Sequence, residues 1–174
     1  AVAEHLRYQL QDQFFKTLAK KKNNPFSSDL KQSEIDRIMN SAIKRSERFL
    51  IMSGMQCSNC GRRGKILTEE EIDGELMTVC KASDCGHQTK RYTEQEIMNS
   101  FDKPVPMKVF SWKGDIDTVL SPRDSIRYYK SFLQAGLMSM EPQSGYIRAW
   151  VGGIDYDNFA YDHVRQGKRQ VGST

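Results

Sequence analysis

Long apolar runs are missing from this sequence. No stretch approaches the roughly 20 apolar residues of a membrane-crossing helix, and hydrophobic residues make up 38% of the chain against 28% charged, a surface-rich balance. Over 174 residues this allows one respectable core or two small ones, and two are expected. A basic segment followed by a short apolar one, the mark of an export signal, is absent too, and the first residue is Ala1. Any anchor or export signal is expected in a part of the gene product outside this sequence. Charge of one sign is in little excess: 26 Lys+Arg against 22 Asp+Glu give +4, which sets no partner by itself. The densest basic run, Lys20-Lys21-Lys22, reads as a helix end, where cations are favoured. Cysteine is scarce, and its four residues all fall between positions 57 and 85.

Proline is scarce as well, and each of its five residues marks a boundary. Val2, Leu6, Leu10, Phe14 and Leu18, with Phe15 beside them, recur at helical spacing, predicting a helix over 1–22 that ends at Asn23-Asn24-Pro25. A second helix is expected over 33–52 on the stripe Ile35, Ile38, Met39, Ile43 and Leu50, packed against the first. Thr93 and Glu96 have capping-box spacing and open a short helix toward Phe101, broken by Pro104 and Pro106. The alternation around Lys113-Gly114 predicts a hairpin of 105–112 with 115–120. Ser121-Pro122-Arg123-Asp124 is a helix start, with the helix running to Ala135 and stopping at Gly136. Two more strands, 137–141 and 146–151, turn through Pro142 to Gly145, and Gly152-Gly153 closes the second.

Between these segments the spacing Cys57-x2-Cys60, nineteen residues, Cys80-x4-Cys85, with Gly61 and Gly86 next to the knuckles, resembles a zinc ribbon. A thiolate pair on a tight turn offers two ligands to a tetrahedral ion, and two such pairs leave no position for water. A metal there is structural, holding a module with too little core to fold alone. Disulfides compete with this reading, since four cysteines allow three connectivities and sequence does not choose among them, and free thiols are the third possibility. His87 follows the second pair but faces a saturated site, so it is expected in solvent. Glu69-Glu70-Glu71 and Asp73 read as an exposed acidic turn between the knuckles, because a hard-cation site spreads its ligands around a loop. Trp112 and Trp150 read as packing residues, an exposed one being also a platform for glycan.

The run from Gly136 to Gly153, then Phe159-Ala160-Tyr161-Asp162-His163 and GKRQVGST at 167–174, resembles the start of the transpeptidase domain of class A penicillin-binding proteins. FDKPVPMKVFSWKG at 101–114 and SPRDSIRYYKSFLQAG at 121–136 extend the likeness, and residues 1–52 are similar to the linker before that domain. The resemblance implies an α+β chain in four parts: a helical pair over 1–54, a zinc-ribbon-like insertion over 55–92, a hairpin and helix over 93–136, and the transpeptidase start over 137–174. It implies that Ser173 is the nucleophile of S-x-x-K, with Arg169, Gln170 and Gly172 setting its helix start and the Lys partner beyond the last residue. A serine hydroxyl needs such a base to attack, so the segment alone is expected neither to react with penicillin nor to hydrolyse it. A dyad of His163 with Ser173 is not expected, since the resemblance gives base duty to lysine.

For the parent protein the resemblance implies a peptidoglycan glycosyltransferase and D,D-transpeptidase at the outer, periplasmic face of the cytoplasmic membrane. Its partners there would be stem peptides and beta-lactams. The cysteine insertion departs from the general family pattern, so Cys57, Cys60, Cys80 and Cys85 carry no role from it. An alternative reading makes the chain a zinc-stabilised module docking other envelope proteins. Nucleic acid is not an expected partner, because Arg62, Arg63 and Lys65 stand against five acids between Glu69 and Glu75.

Overall fold

The computed structural model describes residues 2–21 and 23–168, with side chains from Leu10 onward. Helices and antiparallel strands make an α+β fold, as expected. The chain divides into two compact units, residues 13–131 and residues 1–12 with 132–174.

In the larger unit the helical part begins with the end of α1 (Val2–Leu18), followed by α2 (Gln32–Arg45) and α3 (Glu47–Met52). The single helix expected over 33–52 is therefore two. Ser46 adopts an extended backbone, φ −68° and ψ 146°, and its Oγ accepts from the Phe49 N–H at 3.4 Å, so it caps a new helix rather than continuing the old one. That break resets the helical phase. Ile35, Met39 and Ile43 are buried as the stripe requires, but Phe49 takes the core position expected of Leu50. Among the described residues α2 packs on α3 and α5 (Pro122–Tyr129), and Phe15 of α1 stacks on Tyr128 of α5 at 6.4 Å.

The main apolar cluster is Ile43, Phe49, Ile97 and Phe101, closed by Met52, Tyr92, Met98 and Ile126. Ile97 and Phe101 come from α4 (Glu94–Ser100) and its C-cap, a helix started by the capping box that the spacing predicts. The Thr93 N–H donates to Glu96 Oε2 at 2.9 Å and the Glu96 N–H to Thr93 Oγ1 at 3.3 Å.

Strands β4 (Val105–Val109) and β5 (Ile116–Leu120) pair in the expected hairpin. The first ends earlier than Trp112 because Phe110 leaves the ladder: its N–H donates to Tyr129 Oη at 3.0 Å, and its carbonyl accepts from Tyr128 Oη at 2.8 Å. Helix α5 starts as predicted, Ser121 Oγ accepting from the Asp124 N–H at 3.1 Å ahead of Pro122. It stops at Tyr129, six residues short of Ala135. Phe132 turns away into the smaller unit, where its ring lies 5.5 Å from Phe159.

That unit holds the hairpin of β6 (Leu137–Met140) and β7 (Ile147–Val151), every residue of which is exposed. Gln11, not the half-exposed Leu10, is the buried residue of α1 here, and its Oε1 accepts from the Leu133 N–H at 2.9 Å.

Candidate metal centre

The remaining elements of the larger unit form a three-stranded antiparallel sheet, β1 (Leu67–Ile72), β2 (Glu75–Cys80) and β3 (Gln88–Lys90), with β2 central. It springs directly from the helical part. The N–H groups of Met55 and Gln56 both donate to the Leu50 carbonyl, at 2.8 and 3.0 Å, and the Tyr92 N–H returns to the Met52 carbonyl at 2.9 Å.

Each cysteine pair sits on a turn whose backbone is hydrogen-bonded internally. In the first, the Cys57 N–H donates to the Arg62 carbonyl at 2.9 Å and the Gly61 N–H to the Cys57 carbonyl at 3.0 Å. The second has the Cys80 N–H on the His87 carbonyl at 2.9 Å and the Cys85 N–H on the Ala82 carbonyl at 3.0 Å. Gly61 and Gly86 stand at φ +69° and +59°, the left-handed region in which a side chain would be strained, which explains a glycine immediately after each pair.

The two turns bring all four Sγ atoms within 4.8 Å of one another. Cys57 lies 3.7 Å from Cys85 and Cys60 lies 3.7 Å from Cys80. A disulfide would need about 2.05 Å, and the four thiols are free. Four sulfurs each about 2.3 Å from a central tetrahedral ion stand about 3.8 Å apart, so the cluster is compatible with metal binding. Around it the packing is thin: Cys57, Cys80 and Ala82 are buried, with Ile66 and Leu67 only half-buried against them.

Charge is unevenly placed on the free thiols. The Asn59 amide donates to Cys85 Sγ at 3.5 Å and, with the His87 backbone, draws the Cys85 thiol down to about 6. At Cys60 the Arg62 backbone also favours the thiolate, but burial and hydrogen bonds among the sulfurs outweigh it and raise the thiol to about 12. Neighbouring thiolates repel, so all four ionise together only around a cation.

An ion pair joins the turns from outside. Arg62 grips Asp84 with both guanidinium nitrogens, Nη2 standing 2.7 Å from Oδ2, and this bond holds the Asp84 carboxyl at about 2. Ser58 and Thr89 share a hydroxyl hydrogen bond of 2.8 Å.

Residues 64–133 match the family model of the penicillin-binding protein middle domain. Over that segment the chain is similar to a penicillin-binding protein middle domain. No curated protein and no solved structure gives a significant match. The matched segment runs from just before β1 to just after α5, so it includes Cys80 and Cys85 but not Cys57 and Cys60. The four-thiol cluster thus straddles the edge of the middle domain match.

His87 is exposed and outside the cluster, as its position after a complete ligand set suggests. Glu69, Glu70 and Glu71 are not in a turn but in β1, where Glu69 pairs with Arg91 and Glu70 with Lys81. His163 rests against Tyr161, ring centroids 4.8 Å apart. Trp112 packs edge-on against Phe110, while Trp150 is 45% exposed and donates from Nε1 to Asp162. Ser173, with Arg169, Gln170 and Gly172, lies outside the described residues. Sequence reasoning missed Arg62, Asp84 and Asn59; the available signal was a charged pair of opposite sign, one member flanking each turn.

Proposed function

We propose that this chain is the stretch of a class A peptidoglycan synthase that leads into its transpeptidase active site, carried in the cell envelope at the outer face of the cytoplasmic membrane. The observation that carries this reading is the middle domain match over residues 64–133; the motif run ending in Ser173 supports it. In the parent protein Ser173 attacks the penultimate D-Ala carbonyl of a stem peptide, D-Ala leaves, and an amine of a neighbouring peptide resolves the acyl-enzyme. Beta-lactams acylate the same oxygen. In a full-length protein carrying this segment, Ser173→Ala abolishes labelling by a fluorescent penicillin, whereas Ser144→Ala leaves it intact. Undiminished labelling of Ser173→Ala would overturn the assignment.

Within this reading Cys57, Cys60, Cys80 and Cys85 hold one zinc ion. Thiolate is the donor that soft-metal sites select, and four thiolates saturate the ion, leaving no place for a reactive water. Zinc there supplies structure alone. It ties the turn entering the ribbon to the end of its central strand, and thereby ties the ribbon to α3.

A further inference from the structure

We propose that a cleft in the smaller unit binds a primary alkylammonium group, the kind of cation that ends a lysine side chain, with Asp162 as its counter-ion and aromatic rings as its walls. The inference goes beyond the proposed function and does not depend on it.

The cleft encloses about 260 Å³ beside the end of β7. Pockets for drug-sized ligands run to about 300–1,000 Å³, so this one suits a single head group. Four of its lining residues are aromatic, Trp150, Tyr156, Phe159 and Tyr161, and the charged one is Asp162. No lysine or arginine lines it among the described residues. Aromatic rings carry negative faces and the carboxylate adds a full negative charge, so these walls complement a cation on an apolar stem. An anion or a sugar would need donors, and those of the walls are largely engaged: Trp150 Nε1 donates to Asp162 Oδ2 at 3.0 Å, and Tyr161 Oη donates to the Gln166 carbonyl at 2.8 Å.

The counter-ion is held in place. Gly152 makes room for it, since a Cβ there would stand 2.7 Å from Asp162 Cγ. Asp162 Oδ1 accepts from the Val164 and Arg165 N–H groups, both at 2.9 Å, while Oδ2 accepts only from Trp150. Oδ2 therefore keeps a lone pair for an ammonium N–H. The Arg165 N–H does most to hold the Asp162 carboxyl below the usual carboxylate range, against the opposing effect of burial, so the group is charged at neutral pH. The Arg165 side chain acts on it least, and is exposed and outside the lining of the cleft.

Three walls are fixed as well. Trp150 is tied to Asp162, the Phe159 ring lies 5.5 Å from Phe132, and Tyr161 meets His163 edge-on at 4.8 Å. Tyr156 is different: it is 77% exposed and makes no hydrogen bond or ring contact among the described residues. A ring left in water beside a carboxylate gains a partner when a cation enters.

The test uses the full chain, isotope-labelled for nuclear magnetic resonance and titrated with n-butylammonium chloride at constant ionic strength, sodium chloride making up the balance. The Trp150 indole N–H and the amides of Gly153, Val164 and Arg165 shift saturably, while the Trp112 indole signal stays in place. n-Butanol, the same chain without the charge, binds about tenfold more weakly. Asp162→Asn, which keeps an acceptor for the two backbone N–H groups and removes the charge, lowers affinity about tenfold. Tyr156→Ala, at a position too exposed to disturb folding, weakens binding about fivefold, and Tyr156→Phe restores it because the ring is used and not the hydroxyl.

Shifts that rise linearly without saturating would overturn the proposal, and so would equal binding of n-butanol and n-butylammonium, the mark of a merely apolar crevice. Tyr156→Ala binding as tightly as the unaltered chain would remove the aromatic wall from the account. A stronger response to methyl glucoside than to the amine would make the cleft a glycan platform instead.

Discussion

Cys80→Ser removes metal binding and unfolds the three-stranded ribbon. Cys80 ends the central strand and is 1% exposed, so its sulfur is both one of the four proposed ligands and a member of the small buried cluster beneath the turns. Structural zinc in small domains carries an apparent binding free energy of about 10–16 kcal/mol, which in such modules is folding free energy. The apolar residues around the site have no comparable reserve. Ile66 and Leu67 are half-buried, and complete burial of either side chain is worth about 1.5–3 kcal/mol. The expected result is zinc content near zero and loss of hydrogen-exchange protection across β1, β2 and β3. The helical core around Ile43, Phe49, Ile97 and Phe101 contains no cysteine and retains protection. Ser58→Ala, which removes only an exposed hydroxyl pair, keeps the metal. A Cys80→Ser protein with an intact, protected ribbon would show that the sheet folds without help from the cluster.

Phe101→Ala lowers the stability of the larger unit by about 3–5 kcal/mol, the range for emptying a large aromatic site. The ring is 1% exposed and belongs to the cluster that joins α2, α3 and α4. The Arg48 guanidinium lies 5.8 Å above it, and the Phe101 carbonyl accepts from the Arg123 N–H at 3.0 Å at the start of α5. Since whole domains are stable by about 5–15 kcal/mol, this loss is a large share of the total. In urea denaturation the midpoint falls while the slope is unchanged. Val119→Ala, at a position 62% exposed, shifts the midpoint little, on the order of 0.5 kcal/mol. Equal effects of the two substitutions would place the core elsewhere.

Local chemistry accounts for what was legible in the sequence. The starts of α4 and α5 were readable from Thr93, Glu96, Ser121 and Pro122, because a helix start is decided by side chains within one turn of it. The four cysteines announced their own convergence, since short spacing and a following glycine leave few conformations that waste either thiol.

Elements decided by tertiary contacts were misread. Ser46 is an ordinary interior residue by periodicity, and only the packing of Phe49 against Ile43 and Phe101 favours a new helix there. The stripe through Leu50 was the price of missing that break. Helix α5 ends without a breaker, and Phe132 just beyond it packs its ring on Phe159. In the same way Phe110 leaves its strand for two tyrosine hydroxyls nearly twenty residues away. The Arg62–Asp84 bond was invisible for a related reason: charged residues beside a loop are common, and which of them meet depends on how the two turns face.

Metal content of the full chain, measured by elemental analysis after purification in reducing buffer without added zinc, tests the central claim most directly. The account predicts about one zinc per chain with all four thiols released by acid in titratable form. A protein that carries no metal, takes up none when zinc is supplied, and still protects the amides of β1, β2 and β3 from exchange would contradict it.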